Sequence, residues 1–221
     1  MDNGFLNLLQ SFDALFPIGS YTLSNGMETY VQKELICDGK MLERFLKAYL
    51  YALPYNDLGF AAQAATGAPI EYLDMLCGAS KAPAEVRTGS QKLCARFLKA
   101  EVCLGHYPKI EDYSLKIAAG SCSGFHCIAV GLLIADLDAA LEQGLEMYCY
   151  NLLTTIVNHA VKLVPLGQLA GQQALSAVLP LISEACHHAM SVSDNELGFS
   201  GAGFDLRAMQ HETLYSRLYQ S

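Results

Sequence analysis

The amino-acid sequence predicts an all-α protein that forms a single-domain bundle of about ten helices. Apolar residues recur at intervals of three and four along most of the 221 residues, which is the period of an amphipathic helix. Alternating runs of β-branched residues between tight turns are missing from the sequence. No linker rich in proline, glycine or serine divides the chain, so one domain over 1–221 is expected.

The helices of the N-terminal half are predicted from apolar stripes and from the residues that flank them. The stripe from Met41 to Leu53 predicts a helix with Asp38 as its N-cap and Pro54 at its end. Asn25 and Glu28 have the spacing of a capping box at the start of another helix. The shorter candidate helices are 4–11, 25–34, 57–66, 69–79 and 109–119.

The C-terminal half predicts longer helices. A helix entered through Pro83 comes first. Apolar residues spaced by three or four from 137 to 163 then predict one long amphipathic helix that ends near Pro165. The last helical run, roughly 167–190, contains Pro180, which should kink it or divide it in two.

Composition and charge exclude several classes of protein. With 52% hydrophobic residues the chain has enough apolar material for a core, and disorder is excluded as its main state. A net charge of −8 without a basic cluster argues against a nucleic-acid binder. The N-terminus does not have the form of a signal peptide, so the protein is expected in the cytoplasm. The uncharged segment 117–135 predicts a buried core helix rather than a membrane span, because it contains several glycines and polar residues.

The eight cysteines suggest buried, reduced thiols rather than a disulfide framework or a zinc site, because no C-x-x-C pair occurs. The run Cys186-His187-His188 offers metal-ligating side chains, but neighbouring helical residues point about 100° apart and cannot converge on one ion. The only Gly-Lys pair, Gly39-Lys40, lacks the other residues of a phosphate-binding loop.

One segment has the form of a catalytic motif. Gly120-Ser121-Cys122-Ser123-Gly124 matches a cysteine version of the nucleophile elbow, with Asp205 and His211 downstream in the chain order used by such hydrolases. An elbow needs a strand before the turn, which an all-α chain lacks, so close packing of helices is the simpler interpretation. A cysteine hydrolase using Cys122 remains the alternative function.

Polar residues without catalytic geometry are concentrated in two places, and we interpret them as docking surfaces. One is the helix junction from Lys162 to Gln172, and the other is the chain end from Arg207 to Ser221. Lys162 is the last cation of the long helix, and Gln168 and Gln172 lie four apart on the next one. Gly167 and Gly171 are expected to leave the backbone accessible there, although a well-capped helix junction inside the core would have the same residues.

Three ordered segments carry a family resemblance. Residues 15–21 read LFPIGSY and are followed by SNGME at 24–28, residues 161–168 read VKLVPLGQ and are followed by Gly171-Gln172, and residues 205–221 read DLRAMQHETLYSRLYQS. Together these segments resemble the urease accessory protein UreF family over nearly the whole chain.

The resemblance implies an all-α, dimeric chaperone that is not an enzyme and has no cofactor of its own. The implied partners are the accessory protein UreD, also called UreH, the GTPase UreG and the urease apoprotein. In this role the chain recruits UreG to pre-urease, where GTP hydrolysis accompanies nickel delivery and lysine carbamylation. The predicted partner-binding residues are Lys162, Gln168, Gln172, Arg207, Met209, His211, Glu212, Tyr215, Ser216, Arg217 and Leu218.

The chain end is also predicted to be flexible from about 191. Gly198, Gly201 and Gly203 interrupt any helix before it, and its apolar side chains need a partner or a groove to leave water. We therefore expect a segment that becomes ordered on binding UreD.

Overall fold

A computed structural model describes residues 3–199 and 201–220 of the chain. No β-strand occurs in these ranges, and the predicted all-α fold of about ten helices is confirmed. The α-helices are α1 (Asn3–Ser11), α2 (Met27–Gln32), α3 (Gly39–Ala52), α4 (Asp57–Ala65), α5 (Ile70–Ser80), α6 (Ala84–Leu104), α7 (Pro108–Ala118), α8 (His126–Asp136), α9 (Leu141–Leu163), α10 (Gln168–Val178), α11 (Ile182–Ser191) and α12 (Ala202–His211). Short 3-10 turns lie at Ser20–Thr22, Leu53–Tyr55 and Leu179–Leu181.

Helix α8 lies at the centre of the bundle, and each of its residues from His126 to Ile134 is buried. It packs closely on α4 at Gly131, where an added Cβ would lie 2.2 Å from the carbonyl oxygen of Ala61. The helix is shorter than the uncharged segment 117–135 predicted, because residues 119–125 form a loop. In the described part of the chain, no helix combines the length and the apolar character needed to cross a membrane.

Most of the predicted helix ends are confirmed. The Asp38 carboxylate accepts a hydrogen bond of 2.8 Å from the backbone N–H of Met41 and caps α3. Pro54 lies in the turn that follows α3, and Pro83 is the N-cap of α6. Pro180 divides the last helical run into α10 and α11.

Two predictions about helix starts are wrong. The long helix begins at Leu141 and not near 137, because Asp138 adopts a φ of 51° in the turn after α8. Asn25 and Glu28 do not form a capping box, since Asn25 and Gly26 both adopt a left-handed conformation and Gly26 is the N-cap of α2 without a side-chain cap. The Glu28 carboxylate contacts the chain end instead.

The cysteines are free thiols, as the sequence predicts. Cys37 and Cys103 are exposed, and the other six are buried. The sulfur atoms of Cys77 on α5 and Cys127 on α8 lie 3.7 Å apart in the core. These buried thiols fill space between helices as small apolar groups.

Candidate functional site

The chain end lies on the body of the protein, with α12 against α2 and α6. The ring of Phe204 enters an aromatic cluster, with its centroid 5.4 Å from that of Phe45 and 5.7 Å from that of Tyr49. Four residues later, Ala208 meets Gly26 so closely that a Cβ on Gly26 would lie 2.9 Å from the Ala208 backbone. An aromatic anchor and a close helix contact therefore position α12.

His211, at the end of α12, is fully buried between two carboxylates. Its Nε2 lies 3.1 Å from Oε2 of Glu28 on α2, and its Nδ1 lies 2.6 Å from Oε2 of Glu85 on α6. His211 thus links α2, α6 and α12 through hydrogen-bond contacts with the two carboxylates.

The residues after α12 continue this network. The backbone N–H groups of Leu218 and Tyr219 donate to the Glu28 carboxylate at 2.7 and 3.2 Å. Arg217 donates to Oε1 of Glu85 at 2.6 Å. Glu28 and Glu85 therefore bind both side chains and backbone of the chain end. Ser221, the final residue of the third sequence segment, lies outside the described residues.

Tyr219 extends the contact to α9. Its ring lies on the buried imidazole of His159, with 4.6 Å between the two centroids. The next residue, Gln220, donates its backbone N–H to the carbonyl of Thr22 at 2.9 Å. Burial lowers the pKa of His159 to about 4, with the nearby Lys162 cation acting in the same direction, so this imidazole is neutral at pH 7. The first and third sequence segments, distant along the chain, meet here, and His159 lies three residues before Lys162 of the second segment.

A groove of about 940 Å³ opens beside this meeting point, between α9, the end of α1 and the turn at Ser20–Thr22. Tyr21 and Lys162 both line it. The Lys162 side chain is exposed and forms no ion pair with any described residue. The groove therefore presents an uncompensated cation from the second segment beside the first.

The helix junction after Lys162 is partly exposed and partly core. Gln168 and Gln172 are exposed on α10, as the spacing predicts. Gly167 is also open, since an added Cβ would meet nothing within 4 Å. The expectation that Gly171 leaves its backbone accessible is wrong, because Gly171 is buried and an added Cβ would lie 2.6 Å from the Val161 side chain. Close contact between α9 and α10 requires glycine at that position.

The predicted residues of the chain end divide into two groups. His211 points inward and is buried, whereas Arg207 is half-buried and donates to Gln210 at 2.7 Å. Arg217 is exposed but paired with Glu85. The residues whose side chains are exposed and face away from the body are Met209, Glu212, Tyr215, Ser216 and Leu218. This second group and the exposed Arg217 are accessible to another protein while the chain end lies on the body.

Sequence reasoning missed several residues of the site. The sequence predicts a helix cap at Glu28 and does not single out Glu85, whereas Tyr219 is one of the apolar side chains of the chain end that are expected to need a groove. The available signal for the two acids is their position in the first turn of a helix. The flexibility predicted from 191 stays a prediction, but in the structure Gly198 donates to the carbonyl of Tyr55 at 2.7 Å and anchors the approach to α12.

The alternative catalytic site at Cys122 does not assemble. Residues 120–124 form a loop between α7 and α8, and no described strand precedes it. Burial, followed by the neighbouring Asp74 carboxylate, raises the pKa of Cys122 to about 11, so the thiolate is scarce at pH 7. His211, the proposed base, is bound to Glu28 and Glu85 instead.

The same loop has a structural role. The buried Asp74 carboxylate accepts hydrogen bonds from the backbone N–H groups of Ser123 at 2.6 Å and Gly124 at 2.9 Å. It also accepts from the Tyr113 hydroxyl at 2.6 Å, and that hydroxyl accepts from the N–H of Phe125 at 2.8 Å. The loop, which leads into α8, therefore donates hydrogen bonds to the buried Asp74 carboxylate of α5.

The run Cys186-His187-His188 does not form a metal site. His187 contacts Glu142 at 3.1 Å, whereas His188 lies 2.9 Å from the Tyr55 hydroxyl, so the two rings point to different neighbours. Cys186 is buried. Within 3–199 and 201–220, no three histidine, cysteine, aspartate or glutamate side chains are arranged to hold an ion.

Comparison with known proteins gives a consistent result. The sequence profile of the family described as UreF matches residues 36–179. The chain is 32% identical over 221 aligned positions to the urease accessory protein UreF of Actinobacillus pleuropneumoniae serotype 5b, covering 97% of each chain. It is 32% identical over 230 positions to the one of Nostoc sp., covering 100% of this chain and 97% of that one. For Streptococcus thermophilus the identity is 28% over 224 positions, with coverage of 98% and 94%.

The fold and the site define an all-helical protein, over its described residues, in which the chain end packs on the first sequence segment. Exposed side chains lie on the chain end and at the Lys162 junction. The chain belongs to the UreF family of urease accessory proteins. It accordingly has a role in urease maturation as an accessory protein.

Proposed function

We propose that this chain is a chaperone that joins UreD, also called UreH, and recruits the GTPase UreG to the urease apoprotein for nickel insertion. In this proposal it acts as a homodimer in the cytoplasm, and nickel is the cargo of the complex. The observation that carries the proposal is the packing of the chain end on Glu28 and on His159, which leaves Met209, Tyr215 and Leu218 exposed, while Lys162 lies exposed in the groove beside Tyr21.

The two exposed groups are assigned to different partners. Met209, Tyr215 and Leu218 are apolar side chains exposed on the docked chain end, and they supply an apolar contact for UreD. Lys162 offers an unpaired cation, and Gln168 with Gln172 offers amides, so this junction supplies a polar contact for UreG. Because the two groups belong to different parts of the chain, we expect substitutions that remove the UreD contact to leave the UreG contact intact, and the reverse.

The test is co-purification from cells that express the urease genes, followed by urease activity. We expect Lys162→Ala and Gln168→Ala to weaken UreG recruitment by about 1–3 kcal/mol each and to leave UreD binding intact. Tyr215→Ala and Leu218→Ala should weaken UreD binding first. Lys40→Ala, an exposed lysine on α3, is the matched control.

Two results would contradict the assignment. Loss of folding or of UreD binding in the Lys162→Ala and Gln168→Ala variants would place the junction in the core. An unchanged UreD complex after deletion of 205–221 would remove the chain end from that interface. Light scattering on the purified chain tests the homodimer separately.

A further inference from the structure

A second groove, of about 910 Å³, lies between α1 and the C-terminal half of α6, on a surface assigned neither to UreD nor to UreG above. Its apolar lining comes from α1, from the loop that follows it and from α6. The main apolar residues of this lining are Leu6, Leu9, Leu15, Phe16, Ala100 and Leu104.

These apolar side chains are unusually exposed. Leu6 and Leu9 are each 52% exposed, Leu104 is 50% exposed and Leu15 is 91% exposed. Together they form one contiguous apolar surface around a groove, which on soluble proteins marks a site of interaction.

The groove is held open by contacts of its own. The Asp13 side chain accepts a hydrogen bond of 2.7 Å from the backbone N–H of Leu15, and this turn directs Leu15 outward. Arg96 donates to the carbonyl of Ile18 at 3.0 Å and ties the loop to α6. A preformed groove of this kind loses little conformational entropy when it binds a ligand.

One edge of the groove is basic although the chain carries a net charge of −8. Arg96 and Lys99 line the groove, and Lys92 lies one turn before them on α6; all three are exposed at spacings of four and three, which places them on one face of the helix. Among the described residues, none of these three side chains forms an ion pair with a carboxylate. Their charges are therefore available to an acidic ligand.

We propose that this groove binds an acidic amphipathic helix of a partner protein. A helix satisfies its own backbone hydrogen bonds, which an apolar groove walled by two helices cannot do for an extended peptide. Leucines at helical spacing fill the groove, and acidic side chains on the flank pair with Arg96 and Lys99. A second copy of the chain fits less well, because a two-fold contact would bring the same basic edges together.

The native cysteines provide a direct test. Cys103 lines the groove and is exposed, whereas Cys37, the other exposed cysteine, lies outside it. The probes are two synthetic helical peptides of about 18 residues, with leucines at helical spacing and either glutamates or lysines elsewhere. Alkylation of each thiol by N-ethylmaleimide is followed by mass spectrometry on the full-length chain.

At saturation, we expect the acidic peptide to slow alkylation of Cys103 about tenfold and to leave Cys37 unchanged. The basic peptide should give no protection. In a chain with Lys92→Glu and Lys99→Glu the preference should reverse, while Lys40→Glu, the matched control, should keep the original preference. Circular dichroism checks that each variant retains its helices.

Four outcomes would overturn the proposal. The acidic peptide could fail to protect Cys103, or both peptides could protect it equally. Protection that depends only on the concentration of the chain would assign the groove to a second copy. Protection by phosphatidylserine vesicles without protection by the peptide would assign it to a membrane surface.

Discussion

His211 and Glu28 lie 183 positions apart in the sequence, and in the structure the imidazole Nε2 is 3.1 Å from the Glu28 carboxylate. The other imidazole nitrogen contacts Glu85. This buried contact joins the first and third of the sequence segments described above, and it decides which side of the chain end faces outward.

Replacing His211 should release the chain end. In His211→Ala, the Glu28 and Glu85 carboxylates lose the imidazole between them, and a buried polar group left without its hydrogen-bond partner costs about 1–3 kcal/mol. We expect faster hydrogen exchange in 202–220 and a lower midpoint of urea unfolding. Tyr215→Ala, which removes a fully exposed ring, should change stability by less than about 0.5 kcal/mol. Equal stability of the His211→Ala and Tyr215→Ala variants would contradict the conclusion that buried His211 holds the chain end on the body of the protein.

Gly26 should tolerate no side chain. In Gly26→Ala the residue would keep a φ of 83°, and its new Cβ would lie 2.9 Å from the backbone of Ala208, so α12 must move. We expect a loss of roughly 1–3 kcal/mol and faster exchange confined to α12. The control is Gly203→Ala, whose Cβ would meet nothing within 4 Å on the same helix and should stabilise it slightly. Similar exchange in both variants would refute the close contact.

Glu101 should make stability depend on pH near neutrality. Burial raises the pKa of its carboxyl from 4.5 to about 7. The folded chain therefore binds a proton between these values that the unfolded chain has released, and stability falls as the pH rises from 4.5 through 7.

Glu101→Gln should remove this fall in stability with rising pH. We expect the free energy of urea unfolding of the variant, relative to that of the parent chain, to increase between pH 4.5 and 7 by up to about 3 kcal/mol. Above pH 7 the difference should stay constant. Glu184→Gln, at an exposed position on α11, should show a constant difference. A constant difference for Glu101→Gln as well would contradict the raised pKa.

Cys122 should be dispensable for urease maturation. Its pKa is raised to about 11 and its loop is held by Asp74, so Cys122→Ala should leave urease activation in cells unchanged. Asp74→Asn should instead lower stability by about 1–3 kcal/mol, because it weakens several buried hydrogen bonds. Loss of activation in a folded Cys122→Ala chain would restore the hydrolase interpretation.

The all-α class and most helix ends follow from the amino-acid sequence alone. These features depend on residues only a few positions apart, so they can be predicted from the local sequence. The signals are the helical period of the apolar residues, the Asp38 cap and the prolines at 54, 83 and 180. The interpretation of the Cys122 motif as a site of close helix packing, and not a nucleophile elbow, also followed from the absence of a predicted strand before it. In each case the deciding interaction lies within one or two helical turns.

Only the tertiary structure decided which residues of the docking segments are accessible. His211 was predicted to bind a partner, but the packing of α2, α6 and α12 places it between Glu28 and Glu85. Gly171 was expected to be open, but Val161 of α9 closes over it. These outcomes depend on how helices distant in sequence are arranged in space, and a periodic pattern identifies the buried face of a helix without identifying the helix that covers it.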